Sequence, residues 1–120
     1  MKIQIELPED FSVRMLTNGK DGFYHTLIQH LVIREGSHLR LKCEPNNAVD
    51  VTAVRVYFSD IPVGYLVRED GVSYSRFLNI VDFLQEEGRV GLVCKLLKDE
   101  FKKMPDGRRY VDIRCVLKKK

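Results

Sequence analysis

Apolar and polar residues alternate along most of this chain in short runs, and in one place the spacing lengthens to that of a helix. In residues 2–7, Ile3, Ile5 and Leu7 share one face of an extended segment that stops at Pro8, which predicts a half-buried strand. A turn-forming cluster at 17–22, with an Asn18-Gly19 dipeptide that tolerates positive φ, separates residues 13–16 from a stretch at 23–33 rich in β-formers. After the break at Gly36-Ser37, Leu39, Leu41 and Cys43 alternate with Arg40 and Lys42 and predict another strand. Residues 44–50 are polar and contain Pro45, which lacks a ladder donor, so a loop is expected. Residues 53–58 and 63–67 then read as two strands around a hairpin loop at 59–62. Gly64 interrupts the second of them and calls for a bulge or the close approach of another backbone or a ligand.

From Ser73 the period changes. Phe77, Ile80, Val81 and Leu84 form a stripe at helical spacing that predicts a helix over about 75–87, stopped by Gly88. Residues 90–97 and 110–116 follow as a long hairpin around Pro105-Asp106-Gly107. Six or seven short strands with one helix predict a small mainly β (α+β) domain, either a partly closed barrel or a curled sheet with the helix as its cap.

Composition adds limits. At 120 residues, 44% hydrophobic and 31% charged, residues 1–120 are read as a single domain with its own core. The longest uncharged stretch, between Asp21 and Arg34, contains His25, Gln29 and His30 and is shorter than the ~20 apolar residues of a spanning helix, so no membrane association is expected. Glu6 arrives before any apolar core of a signal peptide, which makes the cytoplasm the expected compartment. The net charge of +3 is uneven: residues 1–88 hold nine Lys/Arg against thirteen Asp/Glu, residues 89–120 eleven against four. A basic last quarter suits a phosphate backbone. Without interleaved aromatic residues it reads more simply as a solvated hairpin (89–117) with a frayed tail, Lys118-Lys119-Lys120.

Catalytic chemistry finds little support. Cys43, Cys94 and Cys115 are far apart, odd in number and set among apolar residues, the pattern of reduced core thiols rather than a disulfide framework or a zinc cage. His25, His30 and His38 do not share a face, and no metal site is expected. The acidic pairs Glu69-Asp70, Glu86-Glu87 and Asp99-Glu100 diverge on any regular element and make no acid/base dyad. No phosphate-binding loop, nucleophile elbow or dinucleotide fingerprint occurs, so neither a cofactor nor an enzymatic activity is expected.

Four short motifs occur in a specific order: Gly36 with Leu39-Arg40-Leu41, Glu44-Pro45-Asn46-Asn47 followed by Asp50, Ala53-Val54-Arg55-Val56, and Val63-Gly64-Tyr65-Leu66, followed by the helix and Gly88. In this order residues 36–95 resemble the HIRAN domain, a small β-rich module found on chromatin-remodelling-type DNA motors and alone in bacterial and phage proteins. The resemblance implies an OB-like barrel that captures the end of a single DNA strand through its terminal nucleotide and 3′-hydroxyl. Such a site needs hydroxyl-bonding acceptors, a stacking surface and phosphate-binding cations. Carried onto this chain, Asn47 and Asp50 take the sugar or base end, Tyr65 offers an aromatic face or a hydroxyl, and Arg68 binds phosphate.

Read without the resemblance, Asn47 and Asp50 hold a turn and Tyr65 is a core aromatic. The expected function is a non-enzymatic nucleic-acid-binding module for single-stranded DNA ends or distorted DNA. The alternative is a protein-interaction or self-association domain of the same fold, docking through an exposed strand edge. Val49, where the family's loop carries an aromatic residue, and the acidic balance of residues 1–88 favour that alternative.

Overall fold

The period-two alternation of the sequence becomes the inside and outside of a barrel. A computed structural model describes residues 8–17, 24, 32–98 and 100–120. Its elements are β1 (Asp10–Leu16), β2 (His38–Cys43), β3 (Val54–Phe58), β4 (Ile61–Leu66), α1 (Arg68–Glu86), β5 (Val90–Leu96), β6 (Lys102–Lys103) and β7 (Arg109–Lys119). The strands run in the order β1-β4-β3-β2-β5-β7-β6, all pairs antiparallel, and β1 also pairs with β7. That last pairing closes six strands into a small OB-like barrel, with β6 added outside on β7 and α1 as the cap. Among the described residues β1 and β7 each have neighbours on both sides and the two-residue β6 of the final hairpin lies at an edge of the sheet; the amino-terminal strand expected to offer an edge for docking lies outside the described residues.

Inward positions carry the core. Leu39, Cys94, Cys115 and Phe11 are successive register partners across β2, β5, β7 and β1, all buried, and make one layer. Val13 opposite Ile113 and Met15 opposite Val111 add the next, all fully buried. The three cysteines are free and buried. Burial pushes the Cys43 thiol up to about 11, while a hydrogen bond with Cys94, together with burial, raises Cys115; both stay as neutral thiols at physiological pH.

The helix covers one end of the barrel. Leu78 is buried in the barrel core, Phe11 stacks on Tyr74 at 4.7 Å and meets Phe77 edge-on at 5.2 Å, and Val81 packs with Val90 and Leu117. Its end matches expectation: Gly88, at φ +71, sends its N–H to Gln85 O while Arg89 N–H reaches Leu84 O, the paired bonds of a Schellman stop. Its start does not. The helix begins at Arg68, well before residue 75, because Asp70 is fixed by β1: its carboxylate accepts from Arg14 N at 2.7 Å, Nε at 3.1 Å and Nη2 at 3.0 Å.

Other expectations change too. The loop at 59–62 shrinks to the two-residue turn Ser59-Asp60, with Ser59 at φ +55, and β4 already starts at Ile61. The lysine tail is not frayed: β7 runs to Lys119, and Lys120 N–H bonds Arg89 O. The strand at 2–7 and the turn at 18–22 lie outside the described residues, as does most of 23–33. There, Tyr24 is helical and Val32 and Ile33 lie in a bend, so none of the three is strand.

Candidate functional site

The loop between β2 and β3 is folded by its own polar side chains. Asn47 Oδ1 accepts from Val49 N at 2.9 Å and Asp50 N at 3.1 Å, and Asp50 Oδ1 accepts from Thr52 N at 2.9 Å and Thr52 Oγ1 at 2.6 Å. These are Asx-type turns, which is why Asn and Asp occur here at a spacing of three. Backbone bonds from Glu44 N to Ala53 O and from Ala53 N to Asp50 O close the loop's base. Asp50 keeps Oδ2 for the pocket, 3.9 Å from Arg68 Nε, and the Thr52 bonds together with the Arg68 charge hold its carboxyl below the usual carboxylate range.

Glu44 ties the loop to β4. Its Oε1 accepts both the Tyr65 hydroxyl at 2.8 Å and Asn47 Nδ2 at 3.1 Å, and its Oε2 lies 3.9 Å from Arg55 Nη1. The Arg55 guanidinium sits over the Tyr65 ring, 5.1 Å from its centroid. Burial, helped by the bond to Glu44, raises the Tyr65 pKa and keeps its hydroxyl protonated as a donor. Gly64 is needed beside it: a Cβ there would collide with the Leu16 carbonyl oxygen of β1. The close backbone approach expected from the sequence is therefore that of β1 at the seam with β4, and β4 itself is bulged beside Gly64, where Val63 is the extra residue opposite Val56/Tyr57.

Arg68 opens α1 with its side chain 81% exposed. The first turn of the helix is pressed on the loop, since a Cβ at Gly71 would stand 2.6 Å from Thr52 O. Asn47, Asp50, Tyr65 and Arg68, the four residues singled out in the sequence, line one open pocket of about 250 Å³, joined by Arg108 from the turn before β7. Val49 stands on its rim, 96% exposed.

Sequence reasoning missed Glu44 as the tie between Tyr65 and Asn47, although its motif contains that residue, and missed Arg108, which no local signal marks. It also missed the Arg–aromatic pairs of the sheet: Arg55 lies on Tyr65, and Arg40 lies 5.3 Å from the Tyr57 ring centroid. Part of the basic last quarter is paired in place: Lys102 with Asp112 at 2.7 Å, Arg108 with Asp106 at 2.6 Å and Arg114 with Asp10 at 2.6 Å. His38 is exposed in β2, His25 and His30 lie outside the described residues, and among the described residues no three His, Cys, Asp or Glu side chains are grouped to hold a metal ion. No helix of the described residues is long and apolar enough to cross a membrane.

No protein family and no curated protein matches the sequence. Among solved structures the chain is similar to the crystal structure of the HIRAN domain of human HLTF, with a TM-score of 0.55 and 10% sequence identity over 93% of this chain and 78% of that one. The fold is thus of the HIRAN type, as the motifs imply.

Proposed function

We propose that this domain is a non-enzymatic DNA-binding module whose pocket takes the end of a single strand. The observation that carries the reading is the convergence of Asn47, Asp50, Tyr65 and Arg68, from a loop, a strand and a helix start, on one pocket of a HIRAN-type barrel. Asp50 Oδ2 supplies the acceptor for a sugar hydroxyl, and the exposed Arg68 guanidinium supplies charge for the last phosphate. Tyr65 forms an aromatic wall. Asn47 acts mainly through the loop, because its carbonyl oxygen already accepts two backbone N–H groups.

The test is fluorescence anisotropy with labelled single strands ending in a 3′-hydroxyl or a 3′-phosphate, and with blunt duplex, at two salt concentrations. A preference for the free hydroxyl that survives added salt is expected. Asp50→Asn and Arg68→Ala should each weaken binding about tenfold, the size of one lost charge-assisted hydrogen bond at ~1.4 kcal/mol, with the circular dichroism spectrum unchanged. Binding that ignores the end and fades with salt, or no binding, refutes the reading. The DNA should also emerge uncut after long incubation with magnesium.

A second reading, a protein-interaction module, draws on exposed apolar side chains: Val49 and Val51 on the loop, and Val72, Ile80 and Phe83 on the outer face of α1. Light scattering over a concentration series decides its self-association form, which a strict monomer excludes.

A further inference from the structure

Beyond the pocket, the outer face of the β2-β3-β4 sheet carries a repeated pattern. Strand register lines up Lys42, Arg55 and Tyr65 in one rank and Arg40, Tyr57 and Pro62 in the next. In β2 and β3 the residues between these are buried, so the five cationic and aromatic side chains all point outward. The ranks lie two residues apart along β2 and β3, roughly 7 Å, with the bulge at Val63 taking up one more residue on β4, and span three strands, roughly 10 Å. Each rank holds a guanidinium laid on a tyrosine ring, Arg55 on Tyr65 at 5.1 Å and Arg40 on Tyr57 at 5.3 Å. The carboxylates near the face lie at its borders: Glu44 at the loop, and Asp82 and Glu86 of α1 across a shallow cleft of about 230 Å³ beside Arg40 and Lys42.

We propose that this face is a track for the backbone of single-stranded DNA leading into the pocket at Tyr65, an inference that rests on the reading that the pocket takes a strand end. Tyr65 belongs to both, so a strand whose last nucleotide occupies the pocket continues over Arg55 and Tyr57 toward Lys42 and Arg40. Three cations meet its phosphates, and the Arg–Tyr stacks give flat surfaces on which any base can lie. A protein partner would ask for an apolar centre, and this face has none apart from Pro62. The track sits within residues 1–88, where acids are in excess, which conceals it in any count of charge.

The experiment measures anisotropy of a twelve-nucleotide oligothymidylate, with either 3′ end, against salt for four proteins: the parent, the double variant Arg40→Gln/Lys42→Gln, Asn47→Ala, and Lys118→Gln as a control on β7, three strands around the barrel. Both Arg40 and Lys42 are exposed, so the double variant keeps the fold. It should bind about tenfold more weakly, its log–log salt slope should fall by about 1.4 for two lost phosphate contacts, and its ratio of 3′-hydroxyl to 3′-phosphate affinity should equal the parent's. Asn47→Ala should lower that ratio and leave the slope alone, and Lys118→Gln should change neither. A double variant that binds like the parent, while the end preference persists, overturns the track and spares the pocket. An equal loss in Lys118→Gln overturns the track in favour of diffuse attraction. The expected slope change in the double variant with no end preference in the parent keeps the track and overturns the pocket, and a parent that binds no oligonucleotide overturns both.

Discussion

Glu44 is the residue on which the candidate site turns. One of its carboxylate oxygens accepts from both Tyr65 and Asn47, so a single side chain fixes the aromatic wall and the loop together. Glu44→Ala should release both and weaken oligonucleotide binding about tenfold, while Glu44→Gln, which keeps an acceptor oxygen, should bind within about threefold of the parent. Equal loss in the two variants, read by anisotropy, would assign the effect to the ion pair with Arg55 instead. Gly64 makes a sharper case at the same scale. A methyl group there meets the Leu16 carbonyl, backbone that cannot turn aside, so Gly64→Ala should cost about 2–3 kcal/mol in urea denaturation. The sequence already marked Gly64, Asn47 and Asp50, because glycine in a strand and Asn or Asp in a loop are local signals. What they face was not legible: Leu16 and Arg68 reach them only through pairing and packing.

At the scale of elements, the ends of the helix show where local signals stop. Gly88 announces the C-terminal stop, whereas Val67 at the N-cap makes no side-chain cap bond and the local start signal is the acidic first turn, Glu69-Asp70, weaker than a cap. The start comes from Arg14, more than fifty residues away, whose backbone and guanidinium both bond Asp70. The strands were easier to read, since one buried face imposes period two. Further along α1, Asp82 is half-buried beside Glu86, and burial, with that second carboxylate, raises its pKa above 3.8. The folded state therefore binds this proton more tightly than the unfolded chain does. The stability it contributes is full below pH 3.8 and is lost as pH rises through the raised value. Asp82→Asn, neutral at every pH, should raise the melting temperature at pH 7 and bring no gain at pH 3. A gain of the same size at both values would show that the charge is not the cause.

For the molecule as a whole, charge counted along the chain misleads, because folding redistributes it. The basic final quarter closes ion pairs with Asp10, Asp106 and Asp112, and the acid-rich remainder presents Arg40, Lys42 and Arg55 on one face. The barrel is also unevenly stitched. Ladders run the length of β1 with β7 and of β5 with β7. The β1–β4 seam is shorter, with Met15 opposite Leu66, Leu16 opposite Tyr65 and one further bond from Val67 N to Arg14 O, and so is the β2–β5 seam, with His38 opposite Lys95, Leu39 opposite Cys94 and two further bonds that join Leu96 to Gly36 and Ser37. Local opening follows the shortest ladders. Hydrogen exchange should therefore be faster at Leu66 and Leu39 than at Ile113 and Cys115 in the middle of β7. The pocket straddles the first seam, with Leu16 on β1 and Tyr65 and Leu66 on β4 among its walls. A strand end seated there bridges the seam, so a saturating oligonucleotide should slow exchange in Leu16, Tyr65 and Leu66 and leave the β5–β7 ladder as it was. Slowing spread evenly round the barrel would mean that the ligand stabilises the whole fold rather than this seam, and slowing confined to β5 and β7 would place the binding surface on the opposite side of the molecule.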